Sequence, residues 1–279
     1  MKRGIALLVM GAVAVFFAPL PMQLAFAILG IGVVGMIHGA GDLAVIRREQ
    51  KMPFLGLYGL VSLVTLAWWI LQPSVALPAF LVASAFHFGF EDAPKSSSVE
   101  RVSRGTALIA MPATLHVGSY ADLLRLAGGE ASALPTLTPV IAIAGGISGC
   151  FLLLVACRHY DTRLATGAGA LLLLPPLIGF TVGFLVLHAL PQTAERRDRL
   201  GCHSTRVYLR TVMPIFLAAV LLAGAVAGLL LHFDPSGVRC LFAGIAALAV
   251  PHLLVTPWFE DRSASTSGRP ADLGSPNLA

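Results

Sequence analysis

Long apolar blocks alternate with short polar joints along nearly the whole chain, at roughly 4–20, 22–41, 53–72, 74–90, 105–120, 137–157, 164–190, 212–232 and 238–258. A helix that crosses a bilayer needs about 20 mainly apolar residues, and most blocks are of that order. Strand-like alternation is absent, which argues against a porin-type barrel. The charges sit in the joints, at 47–51, 91–104, 158–163 and 195–210, while Pro21, Pro73, Pro135 and Pro235 stand between blocks. A missing amide donor does least harm there. The pattern predicts an all-α, polytopic transmembrane helix bundle of about 8 spans, forming one domain over residues 1–260 with no repeat. A Ser-, Gly- and Pro-rich tail over 261–279 is expected to be disordered.

Composition strengthens the membrane reading. Of 279 residues, 57% are hydrophobic and only 12% charged, whereas a soluble domain carries about a quarter charged residues. Too little charge is left to solvate a globular surface. The net charge of +5 does not form a nucleic-acid patch, because the Arg residues lie between apolar blocks as cytoplasmic loops require. Cys150, Cys157, Cys202 and Cys240 form no CxxC pair, and Cys150 and Cys157, seven apart, share a helix face suited to packing. Met1-Lys2-Arg3, an apolar run and Ala25-Phe26-Ala27 imitate a signal peptide. Cleavage after Ala27 would leave a stub too short to span before His38, so the segment reads as an uncleaved first helix.

Lys and Arg counts set the orientation. With the N-terminus cytoplasmic in an inner (cell) membrane, the joints at 47–51 and 91–104 also fall inside. Arg196, Arg197, Arg199, Arg206 and Arg210 demand the same of 191–210, yet counting every block as one span puts that joint outside. Pro175-Pro176 offers the preferred solution: a re-entrant pair or two short helices over 164–190, since irregular backbone is tolerated beside a cavity. A non-spanning 105–120 also restores the parity.

Ionisable groups inside a bilayer are costly and usually functional. His38, His87, His188 and His252 all stand in apolar segments, and the reversal demanded by the charges brings His188 level with the other three. A single membrane histidine is often no more than an interhelical hydrogen bond. Four at one depth point to a metal. Asp42 follows His38 by four residues and Glu91 follows His87 by four, with Asp92 one further. That spacing puts each carboxylate on its histidine's helix face, where it can orient a ligating imidazole. His116 fits packing or the site equally; His159, His203 and His232 sit beside loop charges. Imidazole suits zinc, copper, nickel and iron alike, and paired histidines can also hold a b-type haem.

At these residues the chain resembles the Brp/Blh family of membrane β-carotene 15,15'-dioxygenases. The resemblance rests on His-Gly-x-x-Asp at His38 to Asp42 and His-Phe-Gly-x-x-Asp at His87 to Asp92. It also rests on Pro175-Pro176-Leu177 leading through Phe180 to His188, and on Pro251-His252. It implies Fe(II), dioxygen, and central cleavage of β-carotene into two retinals, with iron ligands at His38, His87 and His188. The family usually has a second His four residues after the position of His188; here that residue is Gln192. His252, a water, or the weak amide oxygen of Gln192 then completes the shell.

A carotene is an uncharged polyene that reaches an intramembrane site laterally through lipid. Phe86, Phe88, Phe90, Phe180 and Phe184 are candidate linings of its tunnel. Two other classes compete: a transporter or channel with a His/Asp proton relay, and a non-catalytic relative that binds a carotenoid or retinoid. No pair of repeated halves, common in secondary transporters, is visible.

Overall fold

The computed structural model describes residues 2–130, 132–233 and 236–267. These form helices α1 (Lys2–Ala14), α2 (Leu20–Val45), α3 (Lys51–Leu71), α4 (Pro73–Asp92), α5 (Ser98–Thr114) and α6 (Val117–Ala127). They are followed by α7 (Leu134–His159), α8 (Thr162–Leu173), α9 (Pro176–Arg199), α10 (Thr205–Phe233) and α11 (Gly237–Ser267). The fold is a polytopic all-α bundle, and 7 of the described helices are long and apolar enough to cross a membrane. The central one is α9, with 67% of its apolar stretch buried. Pro21, Pro73 and Pro135 each stand in the first turn of a helix, while Pro235 and the tail from 268 lie outside the described residues. The backbone of 261–267, expected to open the tail, continues α11.

The Pro-Pro pair splits the block at 164–190 in two. A residue before proline is pushed out of the α region, and Leu174 (ψ 155°) and Pro175 (ψ 144°) are both extended. Asp161 caps the start of α8 by accepting from the Arg163 and Leu164 amides at 3.0 Å. The 12-residue α8 is about 18 Å long, against about 30 Å of hydrocarbon. It packs back on α9. The 105–120 block is broken too, at Leu115–His116 between α5 and α6.

Close contact carries α4 onto α5. A Cβ at Gly105 would lie 1.8 Å from the Ala85 carbonyl oxygen, and one at Gly89 would lie 2.5 Å from that of Arg101. Only glycine at both positions lets the two backbones approach so far. Met111, Ala107, Leu108 and Ala113 on α5 are buried against α4, α7, α8 and α9. At one end of the bundle α6 ties the joints together: Trp69 Nε1 donates to the Ala127 carbonyl at 3.3 Å and Ser236 Oγ to that of Leu126 at 3.3 Å. The C-terminal turns of α2, α4 and α9 meet α11 at the other end, where Arg196 pairs with both Asp42 and Glu260.

Two π-helical stretches interrupt the regular winding, Ile28–Gly35 inside α2 and Leu185–Ala189 inside α9. They touch each other. Such bulges shift side-chain register and frequently mark functional sites; here one precedes His38 and the other contains His188. Cys150 and Cys157 do share a helix face, but it is exposed rather than packed.

Candidate metal centre

Four helices each bring one histidine to a common point: His38 from α2, His87 from α4, His188 from α9 and His252 from α11. Neighbouring imidazole centroids are 5.2 Å apart for His38–His188 and 5.3 Å for His188–His87. The circuit closes at 5.1 Å for His87–His252 and 5.3 Å for His252–His38. All four contacts are edge-on. The rings surround a centre instead of stacking.

Three of the rings are fixed through Nδ1. His38 Nδ1 is 2.6 Å from the Gly35 carbonyl oxygen, which can only accept, so Nδ1 carries the proton. His188 Nδ1 lies 2.8 Å from Asp92 Oδ1, and His252 Nδ1 lies 2.5 Å from Asp42 Oδ2. A neutral imidazole that donates from Nδ1 has an acceptor lone pair at Nε2. His252 Nε2 and Glu91 Oε2 are both buried without a hydrogen-bond partner. Buried polar atoms normally have one. Donor atoms of His87, Glu91, His188 and His252 lie within 4.8 Å of one another, an arrangement that could hold a metal ion. Orphaned acceptors converging on one point fit a bound cation.

A family model described as β-carotene 15,15'-dioxygenase matches residues 29–260. The chain belongs to that family. Neither the curated proteins nor the solved structures yielded a match. The matched residues include every histidine of the cluster and both carboxylates bonded to it.

Within this family frame the carboxylate pairings differ from those expected along single helices. Asp42 serves His252, not His38, whose own Nδ1 turns back to the carbonyl three residues earlier. Asp92 serves His188, not His87. Only Glu91 stays beside its expected partner, its Oε2 3.5 Å from His87 Nε2. Helix spacing brings side chains to one face, but the buried carboxylates reach across to neighbouring helices. Gln192 is buried one turn beyond His188, and the fourth ring of the cluster comes from His252.

The aromatic expectations divide. Phe88 lies 4.8 Å from His188, and Phe184 lies 5.5 Å from His188 and 6.2 Å from His38. Phe180 stacks on Phe184 at 6.0 Å. Phe86 and Phe90 do not line an enclosed space: they are 62% and 59% exposed, because a two-residue step from Phe88 swings them to the outer face of α4. His159, His203 and His232 are exposed. His116 sits at the α5–α6 break, 3.4 Å from the Leu173 carbonyl, outside the cluster.

Sequence reasoning missed Arg196, Thr256 and Glu260 as parts of this site, having taken Arg196 for a joint charge. The missed signal was spacing by four. Gln192 and Arg196 follow His188 in such steps, and Thr256 and Glu260 follow His252 in the same way.

Proposed function

We propose that the chain is a membrane-embedded, Fe(II)-dependent dioxygenase that cleaves β-carotene, or a closely related carotenoid, at its central 15,15' double bond. The observation that carries this reading is the closed ring of four histidines, three held by Nδ1 so that Nε2 keeps its lone pair, in a chain of the β-carotene dioxygenase family. His38, His87, His188 and His252 would hold the iron, with Glu91 as the nearest carboxylate. Bound Fe(II) supplies a redox-active centre at which dioxygen is activated. One β-carotene and one dioxygen give two retinals, so no further reductant is needed.

The chain's own residues do the positioning. Gly35, Asp42 and Asp92 hold the imidazoles in one tautomer and one orientation, which raises their basicity as ligands. Phe88, Phe180 and Phe184 present apolar aromatic surface beside the cluster, suited to a polyene with no hydrogen-bonding groups. Orientation in the substrate's path is the main contribution such a protein makes. Arg196, Arg197 and Arg199 in the last turns of α9, with Arg206 and Arg210 at the start of α10, support a cytoplasmic position for the end of the bundle that carries the site, in the cell membrane.

Expression in carotene-accumulating bacterial cells tests the reading. Loss of orange colour with retinal appearing is expected. A cysteine placed at Arg199 should be labelled only after those cells are opened. Unchanged pigment would leave a binding protein, and a pH-dependent ion flux would favour the relay.

A further inference from the structure

The proposed function leaves one costly feature unused, a guanidinium buried in an apolar bundle. Arg196 is 4% exposed and Asp42 1%. Arg196 Nη2 lies 3.2 Å from Asp42 Oδ1, and Arg196 Nη1 bonds Glu260 Oε1. The other oxygen of Asp42 accepts from His252 Nδ1 at 2.5 Å and from the Thr256 hydroxyl at 3.2 Å. The carboxylate is thus divided, one oxygen facing the cation and the other facing the histidine.

We propose that Arg196 is a positioning residue for the metal centre, acting on His252 through Asp42. The inference rests on His252 being a ligand, as proposed above. Burying an ion pair is costly and often adds no net stability, so packing alone does not explain Arg196. An Asp42 carboxylate without a counter-charge would be a lone anion in a low-dielectric interior, free to rotate toward any other donor. The guanidinium faces Asp42 Oδ1 as an ion pair and hydrogen-bonds Glu260, so its charge stands between the two carboxylates. Glu260 Oε2 in turn binds Arg199 Nη1 at 2.7 Å, and Arg199 Nη2 binds Glu195 at 2.5 Å. Charges of alternating sign therefore run from Asp42, which holds His252, to the surface, where the side chains of Arg199 and Glu195 are about half exposed.

Gly41 makes the arrangement possible. A Cβ there would stand 3.2 Å from Arg196 Cβ, 3.3 Å from its Cγ and 2.5 Å from the Tyr208 hydroxyl. Glycine lets the arginine stem lie directly against α2 beside Asp42. The spacing is matched on the two facing helices: Arg196 stands eight residues after His188 and Glu260 eight after His252. The pair locks the two histidine-bearing helices in mutual register.

A double-mutant cycle on the iron-loaded, detergent-purified protein tests the relay, reading the rate at which a chelator removes Fe(II). Disturbing a group that orients a metal ligand typically weakens binding about ten- to hundredfold. Arg196→Gln and Asp42→Asn should each speed iron loss on that scale, and the double variant should be no faster than Asp42→Asn alone. The metal-free proteins should keep similar melting temperatures. Multiplying effects, an unchanged rate in Arg196→Gln, or a loss of metal-free stability that accounts for the change would overturn the relay. If Arg196→Gln does not accumulate, Arg196→Lys takes its place, because a point charge cannot span Asp42 and Glu260 together; the same non-additivity is required. His252→Ala separates the two ideas. Wild-type iron retention in that variant removes His252 as a ligand, whereas rapid loss combined with an additive cycle removes only the relay.

Discussion

His38 shows how far a residue's role can be read from its neighbours. The apolar setting and the matching depth of four histidines were legible, and all four rings meet within 5.1–5.3 Å of their neighbours. Their fixing partners were not. Asp42 looks like the partner of His38 because they are four apart, yet it bonds a histidine 210 residues away, and no spacing rule reaches that far. Gln192 stands where the family usually has histidine, while His252 fills the fourth corner of the ring. Gln192→His should therefore change iron retention little, less than about twofold in the chelator assay, since the proposed site already has four imidazoles. A marked slowing of iron loss would mean that position 192, and not His252, faces the metal.

Among the elements, the broken helix at 164–190 was the most legible, because two consecutive prolines force extended backbone before α9. The π-helical turns were not. They arise where α2 and α9 pack together, and no local residue announces them. The α4–α5 contact links packing to the site, since Ala85, against which Gly105 packs, lies two residues before His87. Gly105→Ala puts a methyl group 1.8 Å from a backbone oxygen, which no rotamer change relieves, and the overpacking should cost about 1–3 kcal/mol. A lowered melting temperature together with faster iron loss is expected. Gly56→Ala, which meets nothing within 4 Å, serves as the control and should leave both unchanged. Equal behaviour of the two variants would mean that the α4–α5 approach does not hold His87 in place.

Across the whole molecule, the bundle turns a distribution of charge into a place. Apolar blocks gave the helical class, and the Arg-rich joints required 191–210 to return to the end where His38 lies. That return happens, through α8 and α9, and it brings Arg196 beside Asp42 and Glu260. What composition did not reveal is that the same arginine belongs both to the joint and to the interior of the site. The account's central claim is that His38, His87, His188 and His252 together hold one iron. The most direct test is the iron content of the purified protein and of its four single His→Ala variants, each normalised to folded protein. About one iron per chain is expected in the parent, with at least tenfold less in every variant at similar yield; full occupancy in any one of them would contradict the four-histidine site.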